Sequence, residues 1–222
     1  MTTNLQTEQL TQAGRQIEQD SFAIVDREAG AHAYTDEQWQ IVRRMIHATA
    51  DFDFNGLTEF SPTATSAGIA AILDGASIIA DVEMISVGLS RPRLSHFGVN
   101  AYQFIADADV IEEARRVNST RAVQAMRKAQ RLGLLNGAII AVGNAPTALL
   151  EVVRLIREEQ LRPALIVGMP VGFVSAAESK QALGELEHTP WIITRGRKGG
   201  STLVVAAIHA LLSLAEMRQK TA

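Results

Sequence analysis

The richest chemistry in this chain lies in the stretch Arg195-Gly196-Arg197-Lys198-Gly199-Gly200-Ser201, where three cations are set among three glycines. The apolar run that follows reads as a helix, so the loop stands at a helix N-terminus. Free N–H groups and the positive end of the helix dipole favour an anion there, and glycine lets that anion approach the backbone. A solvated basic turn that uses glycine only for backbone geometry is the plainer alternative. Gly143-Asn144-Ala145-Pro146-Thr147 places amide donors and a hydroxyl at a second helix start, with Pro146 as an ordinary first-turn residue the competing reading. The third candidate is His47. On a helix spanning 36–49, Trp39, Ile41, Val42, Met45, Ile46 and Thr49 share one face, and Gln40, Arg43, Arg44 and His47 share the other. Position alone makes His47 a solvated surface residue. It also lies in the last turn, where the negative end of the dipole favours imidazolium. With Arg43 or Arg44, that face could meet a polyanionic ligand.

The remaining histidines are weaker candidates. His209 lies in an apolar helical stretch and is expected to be a satisfied core or interface residue, and His32, His96 and His188 fall in loops. No histidine spacing resembles a metal site, and the chain has no cysteine, so disulfides, thiolate metal sites and cysteine nucleophiles are excluded. The dinucleotide fingerprint, the P-loop, H-E-x-x-H and G-x-S-x-G are all absent. A formal net charge of −3 argues against a general nucleic-acid binder. The opening twenty residues carry no apolar segment, so no secretory signal is expected. The longest apolar stretch, 203–215, is interrupted by His209 and Ser213 and reads as too short for a bilayer. A soluble cytoplasmic protein without nucleic-acid or membrane partners is the expectation.

The elements that must hold these residues follow a rhythm. Ala138–Val142, Ala164–Val167 and Trp191–Thr194 are short apolar runs, each followed by a glycine-bearing loop and a helical pattern. Runs without polar alternation suit strands buried on both faces, and strand–loop–helix in succession argues for right-handed βαβ units. Ser77–Ala80 and Ala101–Ile105 are further strand candidates. Ser61-Pro62 reads as a capped start for a helix over 64–73, and Thr35 with Gln38 as a capping box. The first sixty residues offer two helices and no clear strand. The expected fold is three-layer α/β/α, with a mainly parallel sheet and a helical N-terminal segment packed on it, as one domain over 1–222. In such sheets the ligand sits outside the carboxyl ends of the strands, so the three glycine loops should line one ridge.

Taken in order, several segments resemble precorrin-8X methylmutase, the precorrin isomerase family of cobalamin biosynthesis. They are Ser21-Phe-Ala-Ile-Val25, Arg44-Met-Ile-His47-Ala48, Phe60-Ser-Pro62, Asp81-Val-Glu-Met84, Ser119-Thr-Arg121-Ala122, Val142 to Leu149, Gly168 to Val174, Ala177-Glu-Ser-Lys180 and Arg195 to Ser201. Gly98-Val99-Asn100-Ala101 departs from the pattern by lacking a glutamate.

The resemblance implies an isomerase that moves a methyl group from carbon 11 to carbon 12 of a ring-contracted tetrapyrrole, metal-free or cobalt-containing. It implies His47 as the proton or hydrogen-bond donor to the macrocycle and Ser21 as a substrate contact. It also implies a homodimer with the corrinoid near the interface. The carboxylate arms of such a substrate match the ridge chemistry: Arg121, Arg195 and Arg197 as cations, with Asn144, Thr147, Gly199, Gly200 and Ser201 supplying polar and backbone contacts. No cofactor or metal is expected for an intramolecular shift. A non-catalytic tetrapyrrole carrier is the alternative.

Overall fold

The short apolar runs become the middle of a sheet because alternate residues find hydrophobic surface on opposite sides. The computed structural model describes residues 11–221. Its elements are α1 (Gln12–Glu28), α2 (Asp36–Thr49), α3 (Phe54–Leu57), β1 (Thr58–Phe60), α4 (Ala64–Leu73), β2 (Ile78–Ala80), α5 (Glu83–Gly88), α6 (Arg91–His96) and β3 (Ala101–Tyr102). They continue with α7 (Ala108–Arg116), α8 (Arg121–Arg131), β4 (Ile139–Val142), α9 (Pro146–Glu159), β5 (Leu165–Gly168), α10 (Ala176–Gly184), β6 (Trp191–Thr194) and α11 (Ser201–Thr221).

The six strands lie in the order β1-β6-β5-β4-β2-β3, all parallel except β1. Ile139, Ala141, Leu165 and Val167 pack with α2, α4 and α11 on one face. Ile140, Val142, Ile166 and Ile193 pack with α8, α9 and α10 on the other. The fold is thus the three-layer α/β/α arrangement with a mainly parallel sheet. The amphipathic helix α2 buries Ile41, Val42, Met45 and Ile46, worth about 2 kcal/mol per side chain removed from water. Its N-terminus carries both arms of the Thr35–Gln38 capping box. Helix α1 packs along α2, and α2 on α11.

Four readings are corrected. The N-terminal segment does contain a strand: β1 pairs antiparallel with β6, Thr58 opposite Thr194. Ser61 does not cap the next helix; α4 starts after Thr63, and the Ser61 Oγ accepts from the Trp191 amide at 2.9 Å instead. The strand expected over 101–105 stops at Tyr102, and the Gln103 side chain then accepts from the Ile105 amide at 3.0 Å. Helix α11 is long and apolar enough to cross a membrane by length and composition, but 67% of its apolar window is buried inside the protein, as a core helix requires.

From β2 the chain moves outward to β3, whereas from β4 it moves the other way to β5. The carboxyl ends of β2 and β4 therefore flank a topological switch point, where open α/β sheets hold their ligands.

Candidate active site

The switch point is closed by a side chain of the protein itself. Asp81, directly after β2, is fully buried, and its carboxylate accepts from the amides of Gly143 (3.0 Å), Asn144 (2.9 Å) and Ala145 (2.7 Å). Burial pushes the Asp81 carboxyl above the usual carboxylate range, and the three N–H groups pull it back. The amides read from sequence as open to a ligand are thus engaged internally, which corrects that expectation. The exposed Asn144 side chain and the half-buried Thr147 remain at the rim. Thr147 Oγ1 lies 3.0 Å from Thr120 Oγ1, the N-cap of α8, so the exposed Arg121 stands at the same rim.

The basic loop arches beside them. Arg195 bonds Glu59 (2.9 Å) and the Gly56 carbonyl (2.7 Å). Lys198 reaches Asp51 (2.5 Å) and Asp53 (2.8 Å). Arg197 lies 5.5 Å over the ring of Phe173 and has no carboxylate partner among the described residues. Phe173 and Val174, in the loop after β5, are 84% and 82% exposed, an apolar surface next to a cation. A β-carbon on Gly199 would fall 2.3 Å from the Met169 carbonyl oxygen, so only glycine lets the two loops touch. The Gly200 amide is spent on that same carbonyl at 2.8 Å. The amides of Ser201 and Thr202, at the start of α11, find no protein acceptor among the described residues. They are the unbonded donors of this helix start, with the Ser201 backbone packed against Gly143.

His47 is exposed on the last turn of α2, and Asp51, four residues further on, ties that helix end to Lys198 of the basic loop. The His47 ring lies 5.1 Å from Phe22 of α1, whose other neighbours are the guanidinium groups of Arg43 and Arg44. Those two cations bond Asp26 (2.9 Å) and Glu18 (3.2 Å), so α1 covers the face that sequence left open for a polyanion. Ser21, beside Phe22, donates its hydroxyl to the Ile17 carbonyl at 2.7 Å. His209 is satisfied, accepting from the Ser90 amide at 3.1 Å.

Both glycine loops therefore meet at one end of the sheet, and the end of α2 is tied to them. Sequence reasoning overlooked Asp51, Asp81 and Lys180 as residues that hold the ridge together. Asp81 and Lys180 stand within motifs read for their resemblance, but nothing local indicates what either touches. Among the described residues no group of three or more His, Asp or Glu is placed to hold a metal ion.

A doubly wound α/β sheet whose ridge carries cations, unbonded amides at the start of α11 and exposed apolar side chains has the chemistry that a large anionic ligand with an apolar body requires. The family model described as precorrin-8X methylmutase matches residues 16–214. A cobalt-precorrin-8 methylmutase of Leptospira interrogans is 54% identical over 95% of this chain and 98% of its own. A precorrin-8X methylmutase of Sinorhizobium is 38% identical over 89% and 93%. The crystal structure of a precorrin-8x methyl mutase from Thermus thermophilus superposes with a TM-score of 0.85 at 51% identity, covering 91% of this chain and 98% of that one. The chain belongs to the precorrin-8X methylmutase family and is an isomerase.

Proposed function

We propose that this protein moves a methyl group from carbon 11 to carbon 12 of precorrin-8X or cobalt-precorrin-8, giving hydrogenobyrinate or cobyrinate. His47 donates a proton or a hydrogen bond to the macrocycle, so that the conjugated system favours migration. Arg121, Arg195 and Arg197 hold carboxylate arms, with the side chains of Ser21, Asn144, Thr147 and Ser201 completing the contacts and Gly199 and Gly200 shaping the loop that presents them. The shift adds and removes no atoms, so the protein's contribution is positioning and one polarising donor.

The observation that carries this reading is the Asp51–Lys198 tie, which fastens the helix of His47 to the basic loop. The exposed Phe173 and Val174 beside Arg197 suit the apolar ring of the substrate or a second copy at its edge. The working form is a cytoplasmic homodimer of one domain, residues 1–222, with the corrinoid near the subunit interface.

The test is incubation of purified protein with each substrate form. The expected result is a changed absorption spectrum at unchanged mass, lost in His47→Ala while binding is kept. An active His47→Ala variant removes His47 as the donor. Binding of both forms without conversion makes the protein a carrier. Light scattering at micromolar concentration reads the dimer.

A further inference from the structure

Lys180 is the most deeply buried cation of the described residues, 1% exposed in the middle of α10. No carboxylate pairs with it among those residues. Its Nζ donates to the backbone carbonyl of Lys198 at 2.8 Å and lies 3.5 Å from Thr194 Oγ1. The Thr194 hydroxyl donates to that same carbonyl at 2.8 Å. Two donors from two elements thus converge on one oxygen in the middle of the basic loop.

A buried ammonium answered only by dipoles is costly, and a leucine or methionine would serve packing better. What the ammonium does is draw one carbonyl inward. That places the next residue, Gly199, against the Met169 and Pro170 carbonyls, where a β-carbon would come within 2.3 and 2.7 Å. It also sets the base from which Lys198 reaches Asp51 and Asp53. The loop on one side of this carbonyl carries Arg195 and Arg197, and on the other the open amides of α11.

We propose that Lys180 is a positioning residue of the substrate site: it pins the Lys198 carbonyl and so presets the basic loop for the carboxylate arms. This rests on the reading of that loop as the carboxylate-binding element.

The natural absence of cysteine makes a clean test possible. In Lys180→Cys the new thiol is unique, so the unfolded chain is alkylated there with 2-bromoethylamine. Sulfur displaces bromide, its proton goes to buffer, and the product is a lysine-length amine. That protein after refolding, untreated Lys180→Cys, Lys180→Met and wild type are compared by steady-state kinetics on cobalt-precorrin-8. Hydrogen exchange of the amides of residues 196–202 is followed in parallel. The expected result for Lys180→Met is a KM raised by about tenfold, with kcat changed by less than about threefold. Loop exchange should be faster by about tenfold, and aminoethylation should restore both. Unchanged loop exchange with a raised KM overturns the positioning role alone. Faster exchange with unchanged KM overturns the reading of the loop as the carboxylate binder, and this proposal with it. Should Lys180→Met not fold, Lys180→Gln, with a donor on a shorter stem, is measured in the same way, and the same two results overturn the same two claims.

Discussion

The backbone of Gly143 lies so close to Ser201 that a β-carbon on Gly143 would stand 2.7 Å from the Ser201 Cα and 2.8 Å from its nitrogen. The loop after β4 and the start of α11 therefore meet across the end of β5, backbone to backbone. Replacing Gly143 by alanine must push them apart. The expected outcome is a fall in kcat/KM of about 100-fold, the scale of a misplacement near 1 Å. A loss of stability of about 1–3 kcal/mol should accompany it. Steady-state kinetics and urea denaturation of the same preparation check both.

Asp81→Asn tests the plug at the switch point. The amide keeps one acceptor oxygen, but its NH2 group would face backbone donors. With at least one buried N–H left unanswered, stability is expected to fall by about 1–3 kcal/mol. Exchange at the amides of Gly143, Asn144 and Ala145 should quicken more than in the core strands. Hydrogen exchange resolved by residue reads the effect.

The cations of the basic loop should separate by role. Arg195 is held by Glu59 and the Gly56 carbonyl, so Arg195→Ala is expected to disturb the β1–β6 edge as well as binding. Arg197 only overlies Phe173. Arg197→Ala should leave stability within about 0.5 kcal/mol of wild type. Its KM should rise, and the salt dependence of KM should weaken because an exposed charge near the substrate is gone. Kinetics at several ionic strengths distinguish the two variants.

Burial lowers the Lys180 ammonium from 10.5 to about 8. Between about pH 8 and 10.5 the unfolded chain keeps a proton that the folded chain has released, so this group makes folding more favourable as pH rises through that window. Below pH 8 both states are protonated and the slope vanishes. Urea denaturation from pH 7 to 10.5 should show wild-type stability rising relative to Lys180→Met. A constant difference between the two would refute it.

Arg93 of α6 meets Glu216 of α11 at 2.8 Å in a buried ion pair, with Ser213 Oγ a further acceptor at 2.9 Å. Glu216→Leu should destabilise the fold by about 3–5 kcal/mol, because a buried ion pair loses one of its members. Adding Arg93→Met should recover part of that loss. Thermal unfolding of the double-mutant cycle measures it.

The sequence made the sheet centre legible because β4, β5 and β6 are β-branched runs closed by glycine or proline, and such runs have few other homes. It hid β1. Thr58-Glu59-Phe60 is short and polar at its middle, and it is a strand only because β6 lies beside it. The ridge was legible from topology, since loops after parallel strands share one end of a sheet. The use of its amides was not: whether Gly143 to Ala145 face a ligand or Asp81 depends on a partner 62 to 64 residues away. The basic face of α2 misled for a similar reason, because its cations find Glu18 and Asp26 only once α1 has folded back on it.

The antiparallel pairing of β1 with β6, together with the packing of α2 on α11, has a consequence for how the molecule comes into being. The helix that carries His47 is made on the ribosome before the surfaces that receive it, β6 and α11. Folding must close contacts of very high sequence separation, which slows it. The nascent chain therefore holds the apolar face of α2 without its partner until α11 has been made, and the ridge of glycine loops cannot form before then. Premature termination before α11 leaves a chain with the histidine but no place to put it.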